Sequence, residues 1–254
     1  MKQILLIIGL LLGFIHGALA DQDYYLQRLH EGNAAYESEN YEDAISAYRE
    51  VLDAELENQA LYYNLGNAHY KLGRYPEAIL YYERAKKLDP TDPDVAFNLQ
   101  IANEHILDKI EPLPVLFYES WGLTLLNLLT SRGWAYVALI SIAFGAVLFY
   151  VYLVTRNVPL KKITFFLALF AWSVTALTSF LSYQQYKALT EANAAIVFDP
   201  TVTVKSEPDE KSTQLFVVHE GSKVELLEEA NGWYKISLAD GNIGWLPVST
   251  VVVI

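Results

Sequence analysis

Catalysis needs reactive side chains gathered at one place, and this sequence offers few candidates. It contains no cysteine, which excludes thiol catalysis, cysteine–zinc sites and disulfides. His30, His69, His105 and His219 are scattered and fall into no metal-ligand spacing. There is no glycine loop for a phosphate and no serine nucleophile elbow. The carboxylates read as solvated faces. A net charge of -12 argues against nucleic acid, which needs a basic face. What remains is recognition, through residues that binding folds present. The expected class is therefore a binding protein, with no enzyme activity, no metal and no cofactor.

The elements that must position these groups begin with a repeat. At an offset of 34 residues Gly32 meets Gly66, Asn33 meets Asn67, Ala34 meets Ala68 and Tyr36 meets Tyr70. Tyr41, Ala44, Ile45 and Tyr48 meet Tyr75, Ala78, Ile79 and Tyr82 in the same way. Each unit reads as two helices around a turn, SENY or LGRY, with small residues at the helix crossings. The stretch Leu61 to Pro90 resembles the tetratricopeptide repeat through Leu65, Gly66, Gly73, Tyr75, Ala78, Tyr82, Ala85 and Pro90. The first unit departs from that pattern, with Glu31 at an apolar position and Glu39 at the turn glycine. Repeats are expected over 25–58 and 59–92, with a capping helix over 93–109, in a domain spanning 21–110. The resemblance implies a concave groove for a protein segment, lined by Leu29, Asn33, Tyr36, Tyr63, Asn67, Tyr70, Phe97 and Ile101. One subtype clamps a terminal carboxylate. Asn33 and Asn64 match its asparagines, but its basic positions fall on Leu29, Asp94 and Asn98, so that clamp is absent.

Two uncharged runs follow, Gly133 to Val154 and Ile163 to Tyr183, each about the 20 residues that cross a hydrocarbon core. They are apolar on all faces and carry aromatic residues near their ends, as membrane spans do. Ser141 and Gly145 on the first, and Thr175, Thr178, Ser179 and Ser182 on the second, let the helices approach closely. Packing of the hairpin on itself is the first expectation, docking of a partner helix the second. The connector 111–132 is expected as an amphipathic segment, either in the bilayer interface or packed on the neighbouring domain. The loop 155–162, TRNVPLKK, is short and basic, so it is expected in the cytoplasm. Residues 1–20 have the basic start, short apolar core and small-x-small end of a signal peptide cleaved before Asp21. Both flanking parts would then lie on the extracytoplasmic, periplasmic side of the inner membrane.

After a linker over 184–192 the period changes to two. Short strand runs over 193–254 are punctuated by Asn231-Gly232 and Asp240-Gly241. A small β-barrel is expected. The pairs Gly232-Trp233 and Gly244-Trp245 make it resemble the bacterial SH3-like domain, which implies a ligand surface at Trp233, Tyr234 and Trp245. At least one of these aromatics is expected in the core, because small barrels need bulky filling.

The fold class is thus multi-domain: an all-α tetratricopeptide helical repeat, a two-helix transmembrane hairpin and an all-β SH3-like barrel. In this order the modules resemble the BatE-type membrane proteins of the Bacteroides aerotolerance operon. That resemblance implies a non-enzymatic component linked to oxidative-stress tolerance. It would assemble in the bilayer with the operon's other membrane proteins, von Willebrand A-domain proteins among them. Two alternatives stay open: a sensor whose barrel binds peptidoglycan, and a chaperone-like binder of exported segments.

Overall fold

A computed structural model of the chain describes residues 24–54, 57–114, 117–190 and 194–254. The expected signal peptide lies outside the described residues. Five helices come first: α1 (24–37), α2 (Tyr41–Asp53), α3 (Gln59–Lys71), α4 (Tyr75–Leu88) and α5 (Pro93–Asn103). Their starts are chemically marked. Asn58 accepts from Leu61 N at 2.8 Å, and Asp92 accepts from Asp94 N and Val95 N. Proline stands in the first turn of α4 and α5, where its missing N–H costs nothing.

The helices pair as α1/α2 and α3/α4, and α5 adds a single helix. Each pair crosses at a glycine: a Cβ on Gly32 would stand 2.5 Å from the Tyr48 ring, and one on Gly66 2.6 Å from the Tyr82 ring. Tyr48, Leu61, Leu65, Ala68 and Ala85 are buried in one shared core. The turns repeat as well. Gly73 has φ +71, and Glu39 at the same repeat position is driven to φ +63.

Two corrections concern the expected boundaries. The capping helix ends at Asn103 rather than at 109, and the Lys109 ammonium folds back to cap the carbonyls of Asn103 and Glu104. After α6 (Phe117–Leu126) come the long helices α7 (Ser131–Val154) and α8 (Val158–Thr190). Only Thr155, Arg156 and Asn157 separate α7 from α8, not eight residues. Pro159 is tolerated in the first turn of α8, and Asn157 Oδ1 accepts from Leu160 N at 3.2 Å. At its other end α8 runs through the expected linker to Thr190, since no glycine or proline interrupts it. Both helices are long and apolar enough to cross a membrane.

The strands are β1 (Ala194–Val197), β2 (Thr201–Lys205), β3 (Gln214–His219), β4 (Lys223–Ala230), β5 (Trp233–Ser237), β6 (Ile243–Pro247) and β7 (Val251–Val253). They form an antiparallel sheet in the order β3-β2-β6-β5-β4-β1-β7. Val202, Val204, Val218, Val224, Ile236 and Leu246 fill its interior. Asn231 and Gly232 both have positive φ, as the tight β4–β5 turn requires.

The β unit is docked on the repeats. Ile196 of β1 is fully buried in one cluster with Ala78, Ile79, Leu99 and Ala102 of α4 and α5, and Phe198 and Val252 pack around it. The last helices of a solenoid need a cover for their apolar face. Among the described residues α5 has no partner helix, and β1 and β7 supply that cover.

Candidate partner groove and the interdomain joint

The groove is built on the repeat helices that precede each turn. Tyr36 comes from α1, Tyr63, Asn67 and Tyr70 from α3, and Ile101 from α5. With Lys71, Tyr82 and Asn98 they line an open cavity of about 310 Å³. Asn98 Nδ2 donates to Asn67 Oδ1 at 2.9 Å and to the Tyr63 hydroxyl at 3.0 Å. The Tyr82 hydroxyl donates to the same Asn67 oxygen at 2.7 Å. Burial pushes the Tyr36 and Tyr82 hydroxyls above the ordinary tyrosine pKa, so both stay neutral at physiological pH. At the rim His105 stacks on Tyr75 with ring centroids 4.2 Å apart, and its Nε2 lies 3.1 Å from the Tyr70 hydroxyl.

Five of the eight expected groove residues therefore meet at one cavity, and three do not line it. Leu29 packs against the repeat core. Asn33 is committed to its neighbours: its oxygen accepts from the Tyr48 hydroxyl at 2.8 Å and from Asn64 Nδ2 at 3.2 Å. Phe97 is 62% exposed and stands outside. Sequence reasoning missed Asn98 as a groove residue. The signal was available, because Asn98 stands 34 residues after Asn64 and repeats its bond to the first helix of the preceding repeat.

The three aromatic residues of the β unit do not share one surface. Trp233 and Trp245 lie on one face, opposite Pro247 and Lys235, while Tyr234 pairs with Leu246 on the other and packs on the core. Trp233 is itself buried. The hairpin residues mainly join α7 to α8. Ser141 Oγ and Thr175 Oγ1 are 2.7 Å apart, and Ser131 and Ser182 exchange hydroxyl-to-carbonyl bonds of 2.9 and 3.0 Å. A Cβ on Gly145 would stand 2.6 Å from Trp172 Nε1, and Thr178 is buried with its hydroxyl bonded to Val174 O. Ser179 lines a shallow groove with Ala135, Ile142 and Tyr183.

Between repeats and β unit, Asp108 accepts from His219 N at 2.7 Å and Ser222 Oγ at 2.6 Å, with His219 Nδ1 at 2.8 Å. The serine bonds the carboxylate and not the imidazole, so this is a clamp and not an activated nucleophile. Arg84 and Lys87 of α4 donate to the carbonyls of Val253 and Ile254, and Lys223 pairs with Glu83 at 2.7 Å.

Residues 29–93 match the family model of the tetratricopeptide repeat, and residues 200–252 that of the bacterial SH3 domain. The chain joins a tetratricopeptide unit to a bacterial SH3 unit. Both are interaction modules. The chain is also similar to sperm-associated antigen 1 of Rattus norvegicus, 30% identical over 86 residues, and to that of Mus musculus, 31% identical over 87 residues. Each match covers 34% of this chain and 10% of the relative, so the chain spans about a tenth of the length of these curated relatives.

Proposed function

We propose that this protein is a membrane-anchored, non-enzymatic scaffold whose tetratricopeptide groove holds a segment of a partner protein. The observation that carries the reading is the cavity of phenols and amides at Tyr36, Tyr63, Asn67 and Asn98, on a face that the SH3 unit leaves open. The SH3 unit is braced behind the repeats through Asp108 and α4, so it sets the shape of the groove's last helices. The α7–α8 hairpin is the anchor. Direct packing of α4 on β1 supports both modules lying on one side of the bilayer, and the basic turn at Arg156 supports that side being extracytoplasmic. The resemblance to the aerotolerance proteins makes the von Willebrand A-domain proteins of such an operon the partners to test first.

A photo-crosslinking residue in place of Lys71, at the groove, should yield an adduct with one membrane protein in intact cells. Tyr63→Ala with Asn67→Ala should abolish it. The same residue in place of Arg49, exposed on α2, should give none. Equal adducts at both positions, or none at either, would remove the groove from the function.

A further inference from the structure

Beside the turn that joins α7 to α8 there is an open cavity of about 300 Å³. Tyr152 of α7 and Val158, Lys161, Lys162, Phe165 and Phe166 of α8 line it. The rings pack into one wall, with the Phe165 centroid 5.4 Å from that of Tyr152 and 5.5 Å from that of Phe166. The lysines supply charge. Lys162 is exposed and has no hydrogen bond or ion pair among the described residues. Lys161 holds its ammonium 5.0 Å from the centre of the Tyr152 ring. That contact takes one side of the ammonium and leaves N–H donors for another partner. No acidic residue stands between Trp121 and Thr190, so the hairpin itself supplies no counter-charge. The start of α8 is already capped, since Asn157 accepts from Leu160 N at 3.2 Å and from Lys161 N at 2.9 Å. The donors left for an anion are therefore the two ammonium groups.

Depth narrows the choice of anion. The uncharged run of α7 ends at Val154 and that of α8 starts at Ile163, which sets the edge of the hydrocarbon core. At 1.5 Å per residue, Lys162 and Lys161 stand about 1.5 and about 3 Å outside that edge. Both lie within a headgroup layer about 5–7 Å thick. Phe165 and Phe166 stand about 3 and about 4.5 Å inside the edge, and Tyr152 about 3 Å inside it. Phe165 and Phe166 are exposed. A phospholipid presents its phosphate and its chains in this same order of depth. A soluble anion would gain from the lysines alone and nothing from the rings below them.

We propose that this cavity binds one anionic phospholipid of the leaflet opposite the soluble modules. Its phosphate lies at Lys161 and Lys162, and the upper part of an acyl chain lies against Phe165 and Phe166. The proposal rests on the hairpin spanning the membrane. Tyr152 and Phe165 come from different helices, so a lipid seated there touches both beside their turn and fixes the depth of the hairpin's closed end.

The full chain in neutral detergent, titrated with phosphatidylglycerol or phosphatidylcholine of equal chain length, tests this by native mass spectrometry. One phosphatidylglycerol should remain bound, at least about tenfold more tightly than phosphatidylcholine. Lys161→Gln with Lys162→Gln should abolish that preference, and the arginine counterparts should keep it. Lys211→Gln with Lys235→Gln, the same change of charge on the SH3 unit, should also keep it. The wild-type comparison decides by itself, because equal retention of the two lipids overturns the proposal. An unchanged preference in the first glutamine pair overturns it too, as does an equal loss in the second. So does displacement by millimolar inorganic phosphate, which would identify the ligand as a soluble phosphate. Flotation with vesicles of phosphatidylcholine alone separates this proposal from the anchor it rests on. A chain that floats but shows no lipid preference sinks only the lipid site, whereas a chain that does not float sinks the anchor as well.

Discussion

Asp108 holds His219 twice, accepting the backbone N–H at 2.7 Å and facing ring Nδ1 at 2.8 Å. The two residues belong to different modules, 111 positions apart. Burial by itself would raise the Asp108 pKa. The hydrogen bonds from Ser222 and His219 outweigh it and hold the carboxyl below the ordinary aspartate value.

Asp108→Asn should therefore loosen the joint, because an amide turns one donor toward groups that already donate. The expected cost is about 2 kcal/mol, read as a lower melting temperature of the detergent-solubilised chain. Since the folded pKa is depressed, the clamp is at full strength above about pH 4 and is lost as pH falls through the lower, folded value. An unchanged melting temperature would mean that β1 packing alone holds the modules.

His69 should give the repeats a second pH dependence. It is buried against Tyr81, and neither ring nitrogen has a hydrogen-bond partner. Burial, with Arg49 and Arg74 nearby, lowers its pKa to about 4. The unfolded chain takes up the proton near pH 6.5, so stability is complete above that value and falls as pH drops toward 4. The full loss is on the order of 3 kcal/mol. Chemical denaturation across this range should show the slope in the wild type, and His69→Phe should flatten it.

Glu39→Gly should stabilise the first repeat. Glu39 sits at φ +63, where an L side chain is strained and glycine is not. The gain should be about 1 kcal/mol, seen as a higher denaturation midpoint. A lower midpoint would show that the Glu39 side chain makes a compensating contact.

Gly66→Ala should destabilise by about 1–3 kcal/mol, because its Cβ would enter the buried Tyr82 ring. Gly122 in α6 is the control. A Cβ there meets nothing within 4 Å, so Gly122→Ala should be neutral or gain about 0.5–1 kcal/mol of helix stability. Equal effects of the two would remove close helix crossing as the reason for Gly66.

The topology can be read by labelling, since the chain has no native cysteine. Asn157→Cys should resist an impermeant thiol reagent in whole cells, and Ser206→Cys should react. Both positions are exposed, so access through the membrane decides the outcome. Reversed labelling would invert the protein and place the groove in the cytoplasm.

Much of the groove was legible because repeats write their geometry into the sequence. Tyr36 and Tyr70, Asn64 and Asn98, and Gly32 and Gly66 are each one period apart, and each pair has the same structural role. Phe97, Leu29 and Asn33 lie off that cavity for the opposite reason. Periodicity selects a helix face, but it does not say whether a residue at the edge of that face points into the cavity, into the core or away. The aromatics of the SH3 unit show the same limit, since Trp233 and Tyr234 are adjacent in sequence and must point to opposite faces of the sheet.

The sequence by itself determined the order of the modules, the helix pairs, the two apolar helices and the β unit. These rest on local periodicity, on turn residues and on runs of apolar character, all of which are properties of neighbouring residues. Only the tertiary structure decided that the modules form one body. Asp108 with His219, Glu83 with Lys223, and Ile196 against Ala78 and Leu99 join residues that share no spacing and no period. Such contacts are set by which apolar face α5 leaves uncovered and which strand edge can cover it. That is a matter of shape and of paired hydrogen bonds, and it leaves no regular trace along the chain.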